Sequence, residues 1–512
     1  MDTEIEEEGV VVMGNAFYNP AQKFNRTMTI KIIKEYLEKR RQDKEHPKKN
    51  TEENANREMV LLECMSATGL RGIRYCKEIE GPRKIVLNDI SEKACREIEE
   101  NCRKNSVPAE LGKKISTGSL TVEIRNEDCR VLMLQNKKAF DVIDIDPFGT
   151  CAPFIECAIE SLSEGGLLCV TSTDTKVLCG KPPESCVRSY GTASPNCSFS
   201  HEAAVRTVLS FISRTSSRLG RNMVPLVSLS VDFFVRVFVT IQTDRRAASM
   251  SILYNSYYGL CVCLNREEQH ILKKDGAAYK HAKICSNMCT LCGRTLPIYG
   301  PFWNRAMCQR EFVRGVIDKI DKGHVEEKTG GIVQTAASSS QIDRRIHGML
   351  SLAIEEEESV FYCHLPYLCS VLEMPVVPIA AFVSFLEHNG FSSSLTHCKP
   401  NSIKTNTPAV VLYIGVVEYH RKFSPEVYEK FAGRLGPVEE RPTNEQRASV
   451  IFENMKKHME KNTIRIDFSI TDKAKLLTSR RFLKFQDKEG LGWGPMKKGA
   501  ARQPQASSST PE

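Results

Sequence analysis

The chain has 512 residues, 41% of them hydrophobic, with 71 Lys and Arg against 63 Asp and Glu for a net charge of +8. That is enough for two or more domains of about 100–200 residues with real cores. No apolar run reaches the roughly 18 residues of a membrane span, and the mild basic excess permits a nucleic-acid partner without requiring one. The acidic opening, Met1 to Glu8, argues against a mitochondrial transit peptide. Twenty cysteines scattered through a long chain that opens on no signal peptide point to reduced thiols, in a nuclear or cytoplasmic protein.

Phe17-Tyr18-Asn19-Pro20 precedes an amphipathic helix over Thr27–Arg41, and residues 42–57, rich in Lys, Glu, Asn and Asp, read as a solvated loop or insertion. From Met59 to about Thr243, apolar runs alternate with helical stretches, the pattern of a doubly wound, mostly parallel α/β sheet. Strands are expected at Val60–Glu63, Ile85–Asp89, Leu120–Arg125, Asp141–Asp146 and Leu167–Thr171, with Val224–Leu229 and Phe233–Thr240 as a closing hairpin-like pair. A first domain is therefore expected over 1–245 and a second over 246–475. The second opens with a cysteine-containing segment, 261–308. Glu326–Gln341, with Gly330-Gly331 and a serine run, reads as a mobile loop. Helical patterns at 342–357 and 378–388 fit a small α+β or winged-helix-like module. Tyr419-His420-Arg421-Lys422 is basic but too short for a patch, and reads equally well as a strand end. The tail, 476–512, is expected to be disordered at its Ser/Gln/Pro-rich end.

The most informative segment is Asp144-Ile145-Asp146-Pro147-Phe148-Gly149, at the end of an apolar strand. In open α/β sheets, ligands bind outside that end. The Asp146 carboxylate and the carbonyl at or before Pro147 can both accept from an exocyclic NH2, stabilising the charge that builds on nitrogen during methyl transfer. Pro147 offers no competing N–H, and Phe148 can stack on a base. Upstream, Glu63-Cys64-Met65-Ser66-Ala67-Thr68-Gly69-Leu70-Arg71-Gly72 is a small-residue loop between a strand and a helix, open to close ligand approach. Asp89, at the next strand end, can grip ribose hydroxyls, and Asp128, after the third strand, can face an adenine amino group. This ordered set reads as an S-adenosylmethionine site. The absent glycine fingerprint disfavours a nicotinamide site.

Together these stretches closely resemble the tRNA guanine-N2 dimethyltransferase family, which makes N2,N2-dimethylguanosine at tRNA position 26. The resemblance continues through Phe24-Asn25-Arg26, Thr171-Ser172-Thr173-Asp174, Leu178-Cys179-Gly180, Gly300-Pro301-Phe302-Trp303, Thr396-His397 and Ile403-Lys404-Thr405, spanning about residues 10–420. It implies a class I methyltransferase domain, Rossmann-like, followed by a family-specific C-terminal α+β domain that binds tRNA. By position it implies Arg26, Arg71, Asp89 and Asp128 as donor-binding residues, with the Cys129 backbone at the adenine. Asp146 becomes the acceptor-aligning carboxylate, and Phe17 and Phe148 the pair that sandwiches a flipped guanine. The segment 261–308 resembles the family's paired-cysteine zinc motif. Here its first half is Cys261-x-Cys263 rather than C-x-x-C, with Cys289-x-x-Cys292 as the second half and Cys285 and Cys308 as spares. Leu395 stands where the family has a basic residue and Asn406 where it has Asp; His397, Lys399 and Lys404 remain candidate phosphate contacts. No protein partner is inferable. Two other readings stand beside this one. An amino-methyltransferase for another nucleic acid is opposed by the C-terminal match. A tRNA-binding or folding factor without catalysis is opposed by the intact Asp146-Pro147-Phe148.

Overall fold

The structure is a computed structural model and describes residues 3–14, 18–45, 58–117, 120–276, 278–282, 286–327, 336–437 and 446–479. Thr3–Glu7 (β1) and Val10–Gly14 (β2) form an antiparallel hairpin, followed by the helix Lys23–Glu45 (α1). Then come Val60–Glu63 (β3), Leu70–Glu78 (α2), Lys84–Asp89 (β4), Glu92–Lys104 (α3), Lys114–Thr117 (β5) and Leu120–Asn126 (β6). Cys129–Gln135 (α4), Phe140–Ile145 (β7), Ala152–Ser161 (α5) and Leu162–Ser172 (β8) complete the parallel part. Two short helices, Thr175–Leu178 (α6) and Pro183–Tyr190 (α7), lead to Ser200–Arg218 (α8), Arg221–Val231 (β9) and Phe234–Thr243 (β10).

These strands form one eight-stranded sheet in the order β5-β6-β4-β3-β7-β8-β10-β9. The run from β6 to β8 is parallel, and β5, β10 and β9 are antiparallel. A parallel strand covered on both faces must be apolar throughout, and every residue of β7 is buried. One face is covered by α1, α2 and α3 through Ile33, Ile73 and Ile98. The other is covered by α4, α5 and α8 through Leu132, Ile155 and Val205. The expected doubly wound class I architecture is present. The chain winds outward from β3 to β4 and β6, then restarts on the other side with β7 and β8. The order therefore reverses between β3 and β7, and a crevice opens outside their carboxyl ends. The closing pair is indeed antiparallel, with β10 lying between β8 and β9.

Beyond β10, Arg266–Gln269, Asn255–Leu260 and Ile298–Trp303 form a three-stranded antiparallel sheet. Cys363–His364, Ser402–Thr405 and Ser393–Leu395 form another, packed with the helices Leu365–Val371, Ile379–His388 and Ala409–Phe423 around a separate core. This is the α+β form expected. The helices Arg310–Glu327 and Ala336–Glu355, although past residue 245, pack back into the first core through Phe312, Val313, Ile346 and Leu350. Among the described residues no helix is long and apolar enough to cross a membrane.

Three local expectations are corrected. The first helix runs through Glu45, four residues into the stretch read as a loop, because Gln, Lys and Glu there are good helix formers. Residues 336–341 are helical rather than loop, since Ala-Ala-Ser-Ser-Ser-Gln contains no breaker; the Gly330-Gly331 pair lies outside the described residues. Tyr419 to Lys422 close the helix Ala409–Phe423 rather than a strand, and their basic side chains lie in its last turn, where the helix dipole favours cations. In the tail, 476–479 end the helix Asp472–Ser479, and 480–512 lie outside the described residues.

Candidate active site at the strand switch point

The loop after β3 is shaped by backbone geometry. Ala67 (φ +49°) and Gly69 (φ +78°) turn it back left-handed, and Gly69 starts α2. A Cβ on Gly72 would collide with Leu87 and the Glu63 carboxylate, so glycine lets α2 lie directly on the sheet. Asp89 holds the loop from the next strand: its Oδ2 accepts from the Ala67 N–H at 2.9 Å, and its Oδ1 from the Ser91 N–H at 2.9 Å. Asn101 on α3 donates to the Thr68 carbonyl and exchanges two hydrogen bonds with Met13. It thereby ties β2, which precedes Phe17 in the chain, to the same loop.

Asp144 and Asp146, two residues apart, share one side of the strand end. Arg71 on α2 bridges them, with Nη1 on Asp144 at 2.7 Å and Nη2 on Asp146. Asp144 also accepts from Tyr75 Oη at 2.5 Å and from Arg236 Nη2 at 2.8 Å. Burial alone pushes Asp144 up, but Arg236 and Arg71 outweigh it and hold the carboxyl down at about 2. Arg236, on β10, is fully buried and donates to Thr171 on β8 and Thr29 on α1, so four elements converge on one carboxylate. Glu63 fares differently. Burial raises its carboxyl to about 8, and Arg71 cannot reverse this because Asp144 and Asp146 already use its charge. Its Oε2 is buried and accepts no hydrogen bond.

Pro147 is buried, and Phe148 is 58% exposed. The turn they start is pinned to the segment after β8: Gly149 and Thr173 exchange two hydrogen bonds, at 2.8 and 2.9 Å. Tyr190 and Asp174 brace that segment from beneath through Ser172 and Thr150.

The structure thus brings Arg71, Asp89 and Asp146 to one crevice. Asp128 lies at the next strand end as the N-cap of α4, pairing with Arg130, whose hydrogen bond holds its carboxyl below the usual range. Cys129 follows at the start of α4, buried beside Cys64. Arg26 is engaged elsewhere: its guanidinium grips Glu7 of β1 with two donors and lies 5.2 Å from the Tyr18 ring. Phe17 falls outside the described residues. The expectation that His397 and Lys404 touch phosphates is corrected. Both are buried, at 3% and 1% exposure, with His397 Nδ1 2.6 Å from Glu356 and Lys404 2.9 Å from Glu202. Lys404 joins the C-terminal module to α8, and His397, which also accepts from the Ser230 N–H, joins it to β9.

Sequence reasoning missed the supporting network and Ile90. A charged residue inside each of two apolar strands, Asp144 in β7 and Arg236 in β10, was the available signal. Ile90, next to Asp89, is 75% exposed beside the crevice.

The four cysteines Cys261, Cys263, Cys289 and Cys292 are all buried, with every Sγ within 4.8 Å of the others. Cys261 and Cys292 are 3.3 Å apart and Cys263 and Cys289 3.5 Å. A tetrahedral zinc with Zn–S bonds of about 2.3 Å sets its sulfurs about 3.8 Å apart, so the donor set fits. The shortened Cys261-x-Cys263 half still brings both sulfurs to the site, and Leu264 turns left-handed (φ +61°) immediately after it.

The family model described as N2,N2-dimethylguanosine tRNA methyltransferase matches residues 2–415. A tRNA (guanine(26)-N(2))-dimethyltransferase of Schizosaccharomyces pombe is 34% identical over 77% of this chain and 76% of its own length. The enzyme of that name from Homo sapiens is 30% identical over 94% of this chain and 74% of its own. Among solved structures, Trm1 from Pyrococcus horikoshii with S-adenosyl-L-methionine aligns with a TM-score of 0.64 at 21% identity, covering 81% of this chain and 99% of that one. The chain belongs to the N2,N2-dimethylguanosine tRNA methyltransferase family and is an S-adenosylmethionine-dependent tRNA (guanine-N2) dimethyltransferase.

Proposed function

We propose that this enzyme acts on guanine 26 of tRNA, with Asp146 as the carboxylate that aligns the acceptor. The observation that carries the reading is the Asp146-Pro147-Phe148 turn at the switch point, its carboxylate oriented by a buried arginine and its aromatic ring exposed. When bound, S-adenosylmethionine supplies an electrophilic methyl group. On the protein side, Asp89 offers a carboxylate for ribose hydroxyls, Asp128 and the Cys129 backbone lie toward the adenine, and Ile90 covers its face. Arg71 is placed to serve both halves of the site, whereas Arg26 must leave Glu7 to reach a ligand.

Guanine must leave the base stack to reach this crevice, and Phe148 offers the aromatic face that receives it, with Phe17 as the opposing ring. Asp146 and the neighbouring carbonyl accept the N2 hydrogens, turn the lone pair toward the methyl carbon and stabilise the growing positive charge. Holding the two reactants in line supplies much of the remaining acceleration. After one transfer N2 keeps one hydrogen, so the same acceptors serve a second round. A transcript carrying guanine 26 is expected to gain two methyl groups on N2, and the same transcript with adenine 26 none; equal methylation of both contradicts the assignment.

Residues 246–475, apart from the helices Arg310–Glu327 and Ala336–Glu355 that pack into the first core, are proposed as the tRNA-binding domain. Cys261, Cys263, Cys289 and Cys292 would hold a structural zinc that pins the strand pair at its base. Elemental analysis of the purified protein is expected to give about one zinc per chain, released with a fall in melting temperature on chelation. A metal-free protein of unchanged stability contradicts this. None of the nineteen cysteines among the described residues is in a disulfide, which supports a reducing compartment, nuclear or cytoplasmic.

A further inference from the structure

Between the two halves of the cysteine cluster, the strands Leu272–Asp275 and Ala278–His281 form an antiparallel hairpin. Every residue of these strands beyond Leu272 is exposed, so the hairpin buries neither face and contributes no core. Two strands alone are marginal in water. Tyr279 ties these two to the chain that leaves β10: its hydroxyl lies 3.4 Å from the Ser249 carbonyl and 3.3 Å from the Met250 sulfur. Ser249 and Met250 end a short helix that starts with Arg245 and Arg246, both exposed. Positions four apart on a helix are surface neighbours, so Tyr279 sets the hairpin one turn from both arginines.

The two segments build one basic face from Arg245, Arg246, Lys273, Lys274 and Lys280. Of these five, only Lys280 forms an ion pair among the described residues, with Asp275. The neighbouring Asp244 caps the short helix instead, through the Ala247 N–H at 2.8 Å. Lys273 and Lys280 stand directly opposite each other across the hairpin, an arrangement of like charges that weakens a strand pair. An anion set between them turns that repulsion into attraction. The face lies away from the methylation site. β10 runs antiparallel to β8, with Val235 opposite Ser172, near the Asp146-Pro147-Phe148 turn, and Ile241 opposite Gly166. Those six steps alone cover about 20 Å, and Arg245 comes after them. We infer that this face docks phosphates of the bound tRNA at a point remote from the nucleotide presented to Asp146. A polyanion that spans both places carries a charge at every step along the way. The inference rests on the reading of residues 246–475 as tRNA-binding and deepens it by naming the contact.

The test measures the affinity of the full-length protein for an unmodified, fluorescently labelled tRNA transcript over a range of salt concentrations. Three variants are compared with the wild type: Lys273→Gln with Lys274→Gln, Arg245→Gln with Arg246→Gln, and Asp275→Asn. Each double variant should lose about fivefold in affinity, and its salt slope should fall by about two phosphate contacts. Asp275→Asn frees Lys280 and should bind about twofold tighter, a gain that damage to the fold does not produce. The losses should appear in KM for tRNA and not in turnover at saturating tRNA, as expected of contacts kept unchanged through the reaction. Affinities of both double variants within twofold of the wild type, with unchanged salt slopes, overturn the inference. Loss of binding to phosphatidylserine vesicles in those same variants would then assign the face to an anionic membrane surface. Failure of the enzymatic reading looks different: a wild type that binds the transcript and transfers no methyl group to it.

Discussion

Asp146→Ala is expected to lower turnover by about 10²–10³-fold while changing S-adenosylmethionine affinity little. The factor is that of removing one preorganised electrostatic partner from a developing charge. The fold should survive, because Arg71 keeps Asp144 at 2.7 Å and Asp146 itself is one-quarter exposed. Asp146→Asn should fall between the two, since the amide still accepts one hydrogen bond but carries no charge. Single-turnover kinetics with saturating donor separates chemistry from binding. Turnover within threefold of the wild type would remove Asp146 from the mechanism.

The second large effect concerns stability. Asp144 is the only carboxylate that Arg236 reaches among the described residues, and both side chains are wholly buried. Asp144→Ala leaves that guanidinium with only the Thr29 and Thr171 hydroxyls. Removing one partner of a buried ion pair typically costs about 3–5 kcal/mol, and denaturant unfolding should show a loss of that size. The effect has a pH signature. The Asp144 carboxyl is depressed to about 2 in the folded protein, against about 3.9 in an unfolded chain. Its stabilisation is therefore complete above about pH 4 and is lost as pH falls through about 2. The gap between wild type and mutant should narrow over that window. A loss under 1 kcal/mol at neutral pH, or a gap independent of pH, contradicts the network.

Much of the first domain was legible because a parallel strand must be apolar throughout, and runs such as Val60-Leu61-Leu62 and Phe140-Asp141-Val142-Ile143 announce themselves. The site was legible for the same reason: charges at the ends of such runs have few other uses. Pairings over long sequence distance were not legible. Arg236 meets Asp144 across 92 residues, and Lys404 meets Glu202 across 202. Taken singly, Lys404 and His397 looked like surface cations. Their burial becomes intelligible only when Glu202 and Glu356 are placed beside them. Asp128 was read from the sequence as an adenine contact. The structure makes it the cap of α4, which leaves one carboxylate edge for a ligand only if Arg130 yields. The zinc segment was half legible. Cysteine spacing named the four residues, but that the shortened C-x-C half brings both its sulfurs to the cluster was visible only in the structure.

The most direct test of the account combines reaction and site. Wild type and Asp146→Ala are each incubated with S-adenosylmethionine and an unmodified tRNA transcript, and the digested nucleosides are identified by mass spectrometry. The account predicts N2,N2-dimethylguanosine from the wild type and almost none from a folded, donor-binding Asp146→Ala. Dimethylguanosine at comparable levels from both proteins, or none from a wild type that binds donor and tRNA, would contradict it.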